Sequence, residues 1–384
     1  MRIDHIQLKN WLNFRRVDAS LADSTYLIGP NASGKSNFLD VFRFLRTLAD
    51  TSGGGLQRAV ADRGGIRKLR CLQARQDTEV RIEVQLSAGA GDEREEWRYV
   101  LGFKSEGSGR QRPIVHEERV LLNGKELLNR PDEQDKADRE RLTQSHLEQV
   151  NTNSQFRVLV TFFRSTTYLH LVPQLLKFAN RLSGNRLEDD PFGQGFLDAL
   201  AQVPKNTREA RLRKIQQVLT RAVPQFQELR YTLDKKTHLP HLEARYTHWR
   251  PQGAWHREDQ FSDGTLRLIA LLWSLLEGDS LLLLEEPELS LNDEIVRQIP
   301  LMIDRIKRQA KNRRQTLITT HSSAILDNPI DGNAILLVLP TDDGSSIRSA
   351  TPEEQAMLTT GLSPAEVLLP KARPQGARQL GLFQ

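Results

Sequence analysis

The chain has 384 residues, of which 38% are hydrophobic and 27% charged, a composition typical of a folded globular protein. Its one cysteine, Cys71, excludes an intramolecular disulfide and a zinc site built from cysteines, so we expect a cytoplasmic protein. No apolar run approaches the roughly 20 residues that cross a bilayer, so we expect no membrane contact. The net charge of +5 is only weak evidence for a nucleic-acid partner.

The first elements predict a strand, a glycine-rich turn and a helix. Near-alternation of apolar and polar residues indicates a strand over 2–12, and a second strand over 24–28 leads into the turn, which opens a helix over 35–48. The turn matches the phosphate-loop pattern G-x-x-x-x-G-K-[ST] in the required context. The alternative is a glycine-rich turn that precedes Lys-Ser by chance. The predicted ATP-binding residues are Gly29, Pro30, Asn31, Ala32, Ser33, Gly34, Lys35, Ser36 and Asn37.

Physical chemistry assigns roles within this loop. Small residues let backbone N–H groups turn towards phosphates, and the start of the helix adds partial positive charge. Lys35 is predicted to reach the β- and γ-phosphate oxygens, and the Ser36 hydroxyl to ligate Mg²⁺. ATP and Mg²⁺ are therefore the expected cofactors.

The predicted secondary structure changes twice in the middle of the chain. Three half-polar runs, 79–86, 96–103 and 114–122, predict antiparallel strands with one wet face. From 131 to 223 the sequence is mainly helical and charged, interrupted by a strand-like run at 167–171. We expect a β-layer followed by a helical insertion.

The last third predicts a second set of buried strands. A hairpin-like pair, 226–233 and 241–247, precedes an apolar helix over 265–276, an apolar strand over 281–284, a helix over 293–309 and a strand over 315–319. Apolar strands without alternation indicate a parallel sheet covered on both faces.

Two adjacent carboxylates, Glu285 and Glu286, end the apolar strand at the sheet edge where ligands bind in α/β folds. Glu285 is predicted to hold Mg²⁺ through water, and Glu286 to polarise the attacking water as general base. The alternative is an acidic cluster favoured by the dipole at a helix start.

Three further motifs occur in a familiar order. Phe261-Ser262-Asp263-Gly264-Thr265 resembles the ABC signature, Leu289-Ser290-Leu291-Asn292 resembles the D-loop, and His321 follows a strand as the switch histidine does. The chain thus resembles ABC-type ATPases of the SMC and RecF branch, and more closely the bacterial predicted ATPases of the "AAA family". The resemblance covers about 1–130 and 226–340.

The resemblance implies a homodimer with ATP sandwiched between protomers. Ser262 and Gly264, with Asp263 between them, are then expected to contact the γ-phosphate of the ATP bound by the partner. His321 is expected to stabilise the γ-phosphate and the attacking water. Asp263 stands where glycine is usual, and we expect Arg267 to neutralise its charge. For Ser262 a plain helix N-cap, and for His321 an ordinary loop histidine, are the alternatives. Gln73 is a candidate glutamine-loop residue, with surface polar filler as its alternative.

The expected fold class is α/β: a P-loop NTPase with an ABC-type core, a flanking antiparallel β-layer and a helical insertion. We divide the chain into an N-terminal ATPase half (1–130), an insertion (131–225), a C-terminal ATPase half (226–345) and C-terminal helices with a flexible tail (346–384). Two helix starts, at Thr351 and Ser363, each carry a capping-box pattern followed by proline.

Partners are predicted from the remaining motifs. Basic clusters at 208–214 and 305–314 indicate either solvated helix surfaces or DNA contact. The last residues resemble the peptide with which bacterial replication and repair proteins bind the DNA sliding clamp, the alternative being packing on the protein's own surface. Few residues follow His321, so we expect any nuclease effector to be a separate protein. The clamp-binding candidates are Gln379, Leu380, Leu382 and Phe383.

The expected function is Mg-dependent ATP hydrolysis by a dimer, coupled to DNA repair or to a phage-defence-like DNA transaction. Two alternatives stay open: an ATP-gated scaffold that does not hydrolyse ATP, favoured by the altered signature, and a transporter-type nucleotide-binding subunit, disfavoured by the long charged insertion.

Overall fold

The computed structural model describes residues 1–372 except 75, 90, 108–109, 180–189, 191, 250–252, 279 and 310–313. Its strands form two six-stranded sheets and one three-stranded sheet. In chain order they are β1 (Arg2–Trp11), β2 (Phe14–Ser20), β3 (Ser24–Ile28), β4 (Val80–Ala88), β5 (Glu95–Gly107), β6 (Arg110–Leu122), β7 (Lys125–Arg130), β8 (Thr167–Leu169), β9 (Phe226–Leu233), β10 (Pro240–Tyr246), β11 (Ala254–Arg257), β12 (Leu282–Glu285), β13 (Thr316–Thr320), β14 (Ile335–Thr341) and β15 (Gly344–Arg348).

The helices cover both faces of the central sheet, whereas the antiparallel layer exposes one face. In chain order they are α1 (Lys35–Ala49), α2 (Leu56–Ala61), α3 (Ile66–Leu69), α4 (Glu133–Ala137), α5 (Arg157–Arg164), α6 (Pro173–Lys177), α7 (Phe196–Gln202), α8 (Lys205–Ala222), α9 (Asp263–Leu276), α10 (Asp293–Val296), α11 (Ile299–Gln309), α12 (Ser323–Leu326), α13 (Pro352–Thr359) and α14 (Pro364–Val367). Within the described residues, no helix combines the length and apolar character needed to cross a membrane.

The central sheet has the order β15-β14-β3-β13-β12-β8, and all neighbouring pairs except β14–β15 are parallel. Its inner strands β3, β12 and β13 are almost wholly buried because both faces of the sheet are covered. Leu281 and Leu283 pack into the core shared with α1, whereas Leu282 and Leu284 pack into the core on the opposite face. The predicted parallel sheet is confirmed.

The second sheet is an antiparallel layer with the order β2-β1-β4-β5-β6-β7. It packs its apolar face over α1, so that this helix lies between the two large sheets in one core. The predicted β-layer is confirmed, but the sequence analysis did not predict two of its strands, β2 and β7. Both carry charged residues at most exposed positions, which hides the alternation.

The segment after β7 is fixed by a buried ionic cluster. Arg130 pairs with Glu118 at 2.9 Å and with Asp135 at 2.8 Å, and all three side chains are fully buried. Glu118 also accepts hydrogen bonds from the backbone N–H of His146. Buried charges are tolerated when each is paired and hydrogen-bonded in this way.

The insertion contributes to the central sheet, contrary to its predicted separation. β8, predicted as an isolated strand over 167–171, pairs in parallel with β12 and forms the edge of that sheet. The part of the insertion before β8, with α5, packs into the core that contains α1. The part after β8, with α7 and α8, packs against the β9–β11 sheet and α9 around a third core. The proposed domain boundaries themselves stay a prediction.

The helix predicted over 293–309 is two helices. α10 ends at Val296, and α11 begins at Ile299 with Pro300 in its first turn. Proline has no N–H and favours the start of a helix over its interior, which explains the break. The two predicted capping boxes at Thr351 and Ser363 are confirmed, each with proline at the first helical position.

Candidate functional site

The phosphate loop connects β3 to α1 with a backbone that requires glycine at two positions. A Cβ on Gly29 would lie 2.2 Å from the carbonyl oxygen of Val338 on the neighbouring strand β14. Gly34 has a φ of 106°, and a Cβ there would lie 2.2 Å from the Asn13 Nδ2 atom. The loop is therefore pressed against its surroundings and leaves no space for side chains at these positions.

Asn13, in the turn between β1 and β2, braces this loop from the antiparallel layer. Its Nδ2 atom donates to the Ser33 carbonyl at 3.0 Å and to the Ser345 hydroxyl at 2.7 Å. Its Oδ1 atom accepts from Asn37 Nδ2 at 2.8 Å. The sequence analysis missed Asn13, because a turn asparagine distant from the motif carries no signal that separates it from ordinary turn chemistry.

Lys35 closes the loop on itself. Its Nζ atom donates to the Gly29 carbonyl at 2.8 Å and to the Pro30 carbonyl at 3.1 Å. Burial lowers the pKa of Lys35, and the nearby carboxylates of Glu286 and Glu285 oppose that shift. The ammonium group is thus directed into the turn whose backbone N–H groups suit phosphate oxygens.

Ser36 and Glu285 meet where α1 begins and β12 ends. The Ser36 hydroxyl donates to Glu285 Oε1, and the Tyr168 hydroxyl donates to Glu285 Oε2. A hydroxyl and a carboxylate are hard oxygen ligands of the kind that Mg²⁺ prefers, so the two side chains fit a shared magnesium ion. The structure brings together both predicted metal ligands and adds Tyr168, which was not predicted.

Glu286 and His321 form a second pair at the adjacent strand ends. The Glu286 carboxylate lies 3.2 Å from His321 Nδ1, and both side chains are partly exposed. Glu286 adopts a φ of 45°, held by hydrogen bonds from its N–H to the Thr319 carbonyl and hydroxyl oxygens at 3.1 and 3.2 Å. A non-glycine residue in this left-handed region is strained and is typical of functional positions.

Glu288 is a buried carboxylate beneath this pair that sequence reasoning missed. Its Oε1 atom accepts from the Thr320 hydroxyl at 2.6 Å and from the His321 N–H at 3.4 Å. Its Oε2 atom is buried without a hydrogen-bond partner among the described residues. Burial raises the pKa of Glu288. The side chain fixes the backbone that carries His321.

The signature residues lie at the start of α9. Ser262 accepts from the Thr265 N–H at 3.1 Å, so it is an N-cap, yet it is also exposed and able to contact a second molecule. Gly264 is required because a Cβ would lie 2.6 Å from the Ser290 carbonyl in the predicted D-loop. Ser290 has a φ of 63°, which aims that carbonyl at the signature turn.

The partner of Asp263 differs from the prediction. Lys177 Nζ contacts Asp263 Oδ1 at 2.6 Å, and Gln174 Nε2 donates to Oδ2 at 2.7 Å. The hydrogen bond from Lys177 is the largest cause of the lowered pKa of Asp263. Arg267 was expected to neutralise this charge, and its charge does lower the pKa of Asp263, but less than Lys177 and Gln174 do. The direct ion pair therefore comes from α6, and Arg267 contributes as a second cation.

A cavity of about 400 Å³ opens beside the first residues of the phosphate loop. His321 lies on one wall and the C-terminal segment on another. Its lining residues are Gly29, Pro30, Asn31, His321, Ser323, Leu369 and Ala372.

Two predicted sites receive no support from the described contacts. Gln73 lies in an exposed turn, and no described contact joins it to the phosphate loop, so its role stays a prediction. The clamp-binding candidates Gln379, Leu380, Leu382 and Phe383 lie outside the described residues.

Comparison with known proteins identifies the family to which this chain belongs. The family described as "AAA domain, putative AbiEii toxin, Type IV TA system" matches residues 24–327, well over half of the chain. The chain belongs to this family. Solved structures agree on the fold: an Smc head bound to the C-winged helix domain of ScpA matches with a TM-score of 0.56 at 17% identity, covering 93% of this chain and 99% of that one. The Smc head with extended coiled coil derived from Pyrococcus furiosus, bound to the C-terminal domain of ScpA, matches with a TM-score of 0.53 at 14% identity, covering 93% and 98%.

Curated sequences match over a shorter stretch. This ATPase is 33% identical over 101 residues to the DNA replication and repair protein RecF of Roseiflexus castenholzii, and 31% identical over 99 residues to that of Clavibacter michiganensis subsp. michiganensis. The matches cover 24% of this chain and 26% and 23% of the two relatives, so the chain matches about a quarter of their length. Together with the head structures, they confirm an ABC-type ATPase of the SMC and RecF branch and its P-loop fold.

Proposed function

We propose that this chain is a magnesium-dependent ATPase that closes as a homodimer around two ATP molecules and couples hydrolysis to a DNA transaction. The observation that carries the proposal is the meeting of two pairs at neighbouring strand ends, Ser36 with Glu285 and Glu286 with His321. One pair suits metal binding and the other suits activation of water, and both lie beside a phosphate loop.

Each residue then has a defined task. Lys35 and the backbone of the loop bind the phosphates, while Ser36 and Glu285 hold Mg²⁺, which neutralises phosphate charge when bound. Glu286 accepts a proton from the attacking water, and His321, within 3.2 Å of Glu286, orients that water and contacts the γ-phosphate. The positive φ of Glu286 turns its carboxylate out of the strand direction towards His321.

The dimer is supported by the signature turn. Ser262 is exposed at the start of α9, where the helix N-terminus favours an anion. Because Lys177 neutralises Asp263, the altered signature does not present an unpaired carboxylate to a partner's ATP. Ser262 and Gly264 are proposed to complete the ATP site of the second protomer.

The biological setting is proposed from the relatives. The name of RecF, "DNA replication and repair protein", supports a DNA partner. A phage-defence-like role and a separate effector such as a nuclease are proposed from the resemblance of the motifs alone. We place this activity in the cytoplasm. Sliding-clamp contact through the tail is the most specific part of the proposal, and a peptide of the last residues titrated against clamp, with Leu382→Ala and Phe383→Ala as control, tests it.

The decisive experiment is steady-state ATP hydrolysis with and without Mg²⁺ and with increasing duplex DNA. Glu286→Gln serves as the contamination blank and should lose about 10²-fold or more of the turnover while keeping ATP binding. Stimulation by DNA supports the proposed coupling, whereas turnover independent of DNA directs attention to a protein partner. Wild-type turnover no faster than the Glu286→Gln blank would leave the non-hydrolysing scaffold as the better description.

Light scattering tests the dimer directly. The molar mass of the Glu286→Gln variant should be twice as high with ATP as without nucleotide. Ser262→Arg, which places a bulky side chain on the exposed signature turn, should keep ATP binding and lose the dimer.

A further inference from the structure

Both carboxylate oxygens of Glu285 are occupied by hydroxyl donors. Ser36 donates to Oε1 and Tyr168 donates to Oε2. Ser36 belongs to the phosphate loop, but Tyr168 comes from β8 in the insertion, 117 residues before Glu285. A residue from outside both recognised ATPase halves therefore holds the predicted metal carboxylate.

Sheet geometry explains why these side chains meet. β8 pairs in parallel with β12 so that Tyr168 is in register with Leu283. Residues two apart on a strand share a face, so Leu283 and Glu285 point to the same side of the sheet. That side is the one covered by α1, which begins with Lys35 and Ser36. The phenol thus lies on the face where the phosphate loop opens.

The ring of Tyr168 is held in place by its neighbours. The Arg43 guanidinium of α1 lies over it, 4.4 Å from the ring centroid, and the ring packs against the core beneath the antiparallel layer. In its contact with Glu285 the phenol hydroxyl is the donor, because a carboxylate oxygen accepts.

The contact from Tyr168 restrains a carboxylate on a long side chain, because residue 285 is a glutamate. Its side chain has one more rotatable bond than aspartate, so an unrestrained carboxylate would have more orientations to lose on binding metal. We infer that Tyr168 is a positioning residue for magnesium: its hydroxyl fixes one oxygen of Glu285 and so keeps the other beside the Ser36 hydroxyl. This inference rests on the proposed function of the same site. Hydrogen-bonding partners of metal ligands typically contribute about 10–100-fold to metal affinity.

The test measures binding, not turnover. Tyr168→Phe removes the hydroxyl and keeps the ring beneath Arg43. In a Glu286→Gln background, a fluorescent ATP analogue is bound while free Mg²⁺ is titrated, and binding is repeated in EDTA. We expect the Mg²⁺ midpoint to rise about 10-fold with binding in EDTA unchanged. Tyr231→Phe is the matched control, because its ring lies beneath Arg208 at 3.9 Å and outside the site.

A double-mutant cycle separates positioning from a general structural effect. Glu285→Asp withdraws the carboxylate from the phenol, so Tyr168→Phe should add little to the midpoint shift in that background. An unchanged midpoint in the single variant, or equal weakening with Mg²⁺ and in EDTA, overturns the inference. If the Glu286→Gln parent binds no nucleotide, the proposed function fails and this inference fails with it.

Discussion

The two halves of the ATP site are held together in different ways. In the phosphate-loop half, a contiguous strand, turn and helix place Lys35 and Ser36, and the backbone itself supplies most of the site. In the signature half, Gly264 is packed against the D-loop and Asp263 is paired with Lys177 of α6. The first half takes its predicted phosphate-binding residues from one continuous segment, although Asn13 braces it from the antiparallel layer. The second half places its residues through contacts between distant segments.

The insertion links the two halves. Tyr168 of β8 contacts Glu285, and Lys177 of α6 contacts Asp263. A few residues of one segment thus reach both the predicted metal carboxylate and the predicted signature turn. A change in the insertion, such as binding of a partner to α7 or α8, has a physical route to each half of the site. Changes in the two halves should consequently produce different defects.

The largest expected effect is in the phosphate-loop half. Lys35→Ala removes the cation that the loop directs towards phosphates, and a hydrogen bond to a charged group contributes about 1.5–3 kcal/mol. ATP binding should weaken about 10- to 100-fold, measured by calorimetry or by a fluorescent analogue. Lys205→Ala, at a lysine whose side chain is 77% exposed, is the control and should bind ATP normally. Normal affinity in Lys35→Ala would contradict the assignment of the loop.

A change in the signature half should spare binding and slow turnover. Lys177→Ala removes the cation paired directly with Asp263 and leaves the Gln174 amide and the charge of Arg267 as its partners, so more of its negative charge opposes the approach of a partner's ATP. We expect kcat to fall about 10-fold, with ATP affinity of the monomer unchanged. Asp263→Asn in the same chain should restore most of the turnover, since no charge then remains to be neutralised. Failure of this rescue would show that Lys177 acts on the fold instead of on the charge.

These differences also explain what the sequence could predict. Local sequence patterns predict the phosphate loop, the two carboxylates at the end of β12 and the order of the motifs around His321. The structure places these residues together. Tyr168 and Lys177 could not be predicted, because their roles depend on β8 joining the sheet far along the chain. Asp263 shows where prediction from sequence ends. The sequence analysis chose Arg267 as its cation because it is near on the same helix, whereas tertiary packing brings Lys177 of α6 into direct contact with Asp263.

A smaller effect is expected beneath the Glu286 and His321 pair. Glu288→Ala removes the acceptor of the Thr320 hydroxyl and the His321 N–H, so the loop that carries the histidine loses its anchor. A lost hydrogen bond of about 0.5–1.5 kcal/mol corresponds to a fall in kcat of about three- to tenfold. Glu288→Gln keeps an oxygen at this position and should stay within about twofold of wild type. Equal losses in both variants would instead indicate that the charge of Glu288 is used in the reaction.

The smallest effect concerns how the first part of the insertion is anchored. Glu148 accepts hydrogen bonds from the N–H groups of Leu56 and Ser145, and burial raises the pKa of its carboxyl from 4.5 to about 7. The native state therefore holds this proton more tightly than the unfolded chain. The stability that the proton provides is complete below about pH 4.5 and is lost as pH rises through about 7.

Replacing this carboxyl with an amide should separate anchoring from chemistry. Glu148→Gln keeps an oxygen acceptor without a titratable proton, so its free energy of unfolding should exceed that of wild type by about 1–2 kcal/mol at pH 8. The difference should shrink towards zero as pH falls to 4.5, the ordinary pKa of a glutamate, in urea denaturation series at each pH. Glu133→Gln, at a side chain that is 88% exposed, should show no such trend. Because Glu148 touches neither carboxylate pair, kcat should not change at either pH. A parallel change in kcat would mean that the anchoring of this segment is coupled to the ATP site. The insertion would then affect the site through its stability as well as through the contacts of Tyr168 and Lys177.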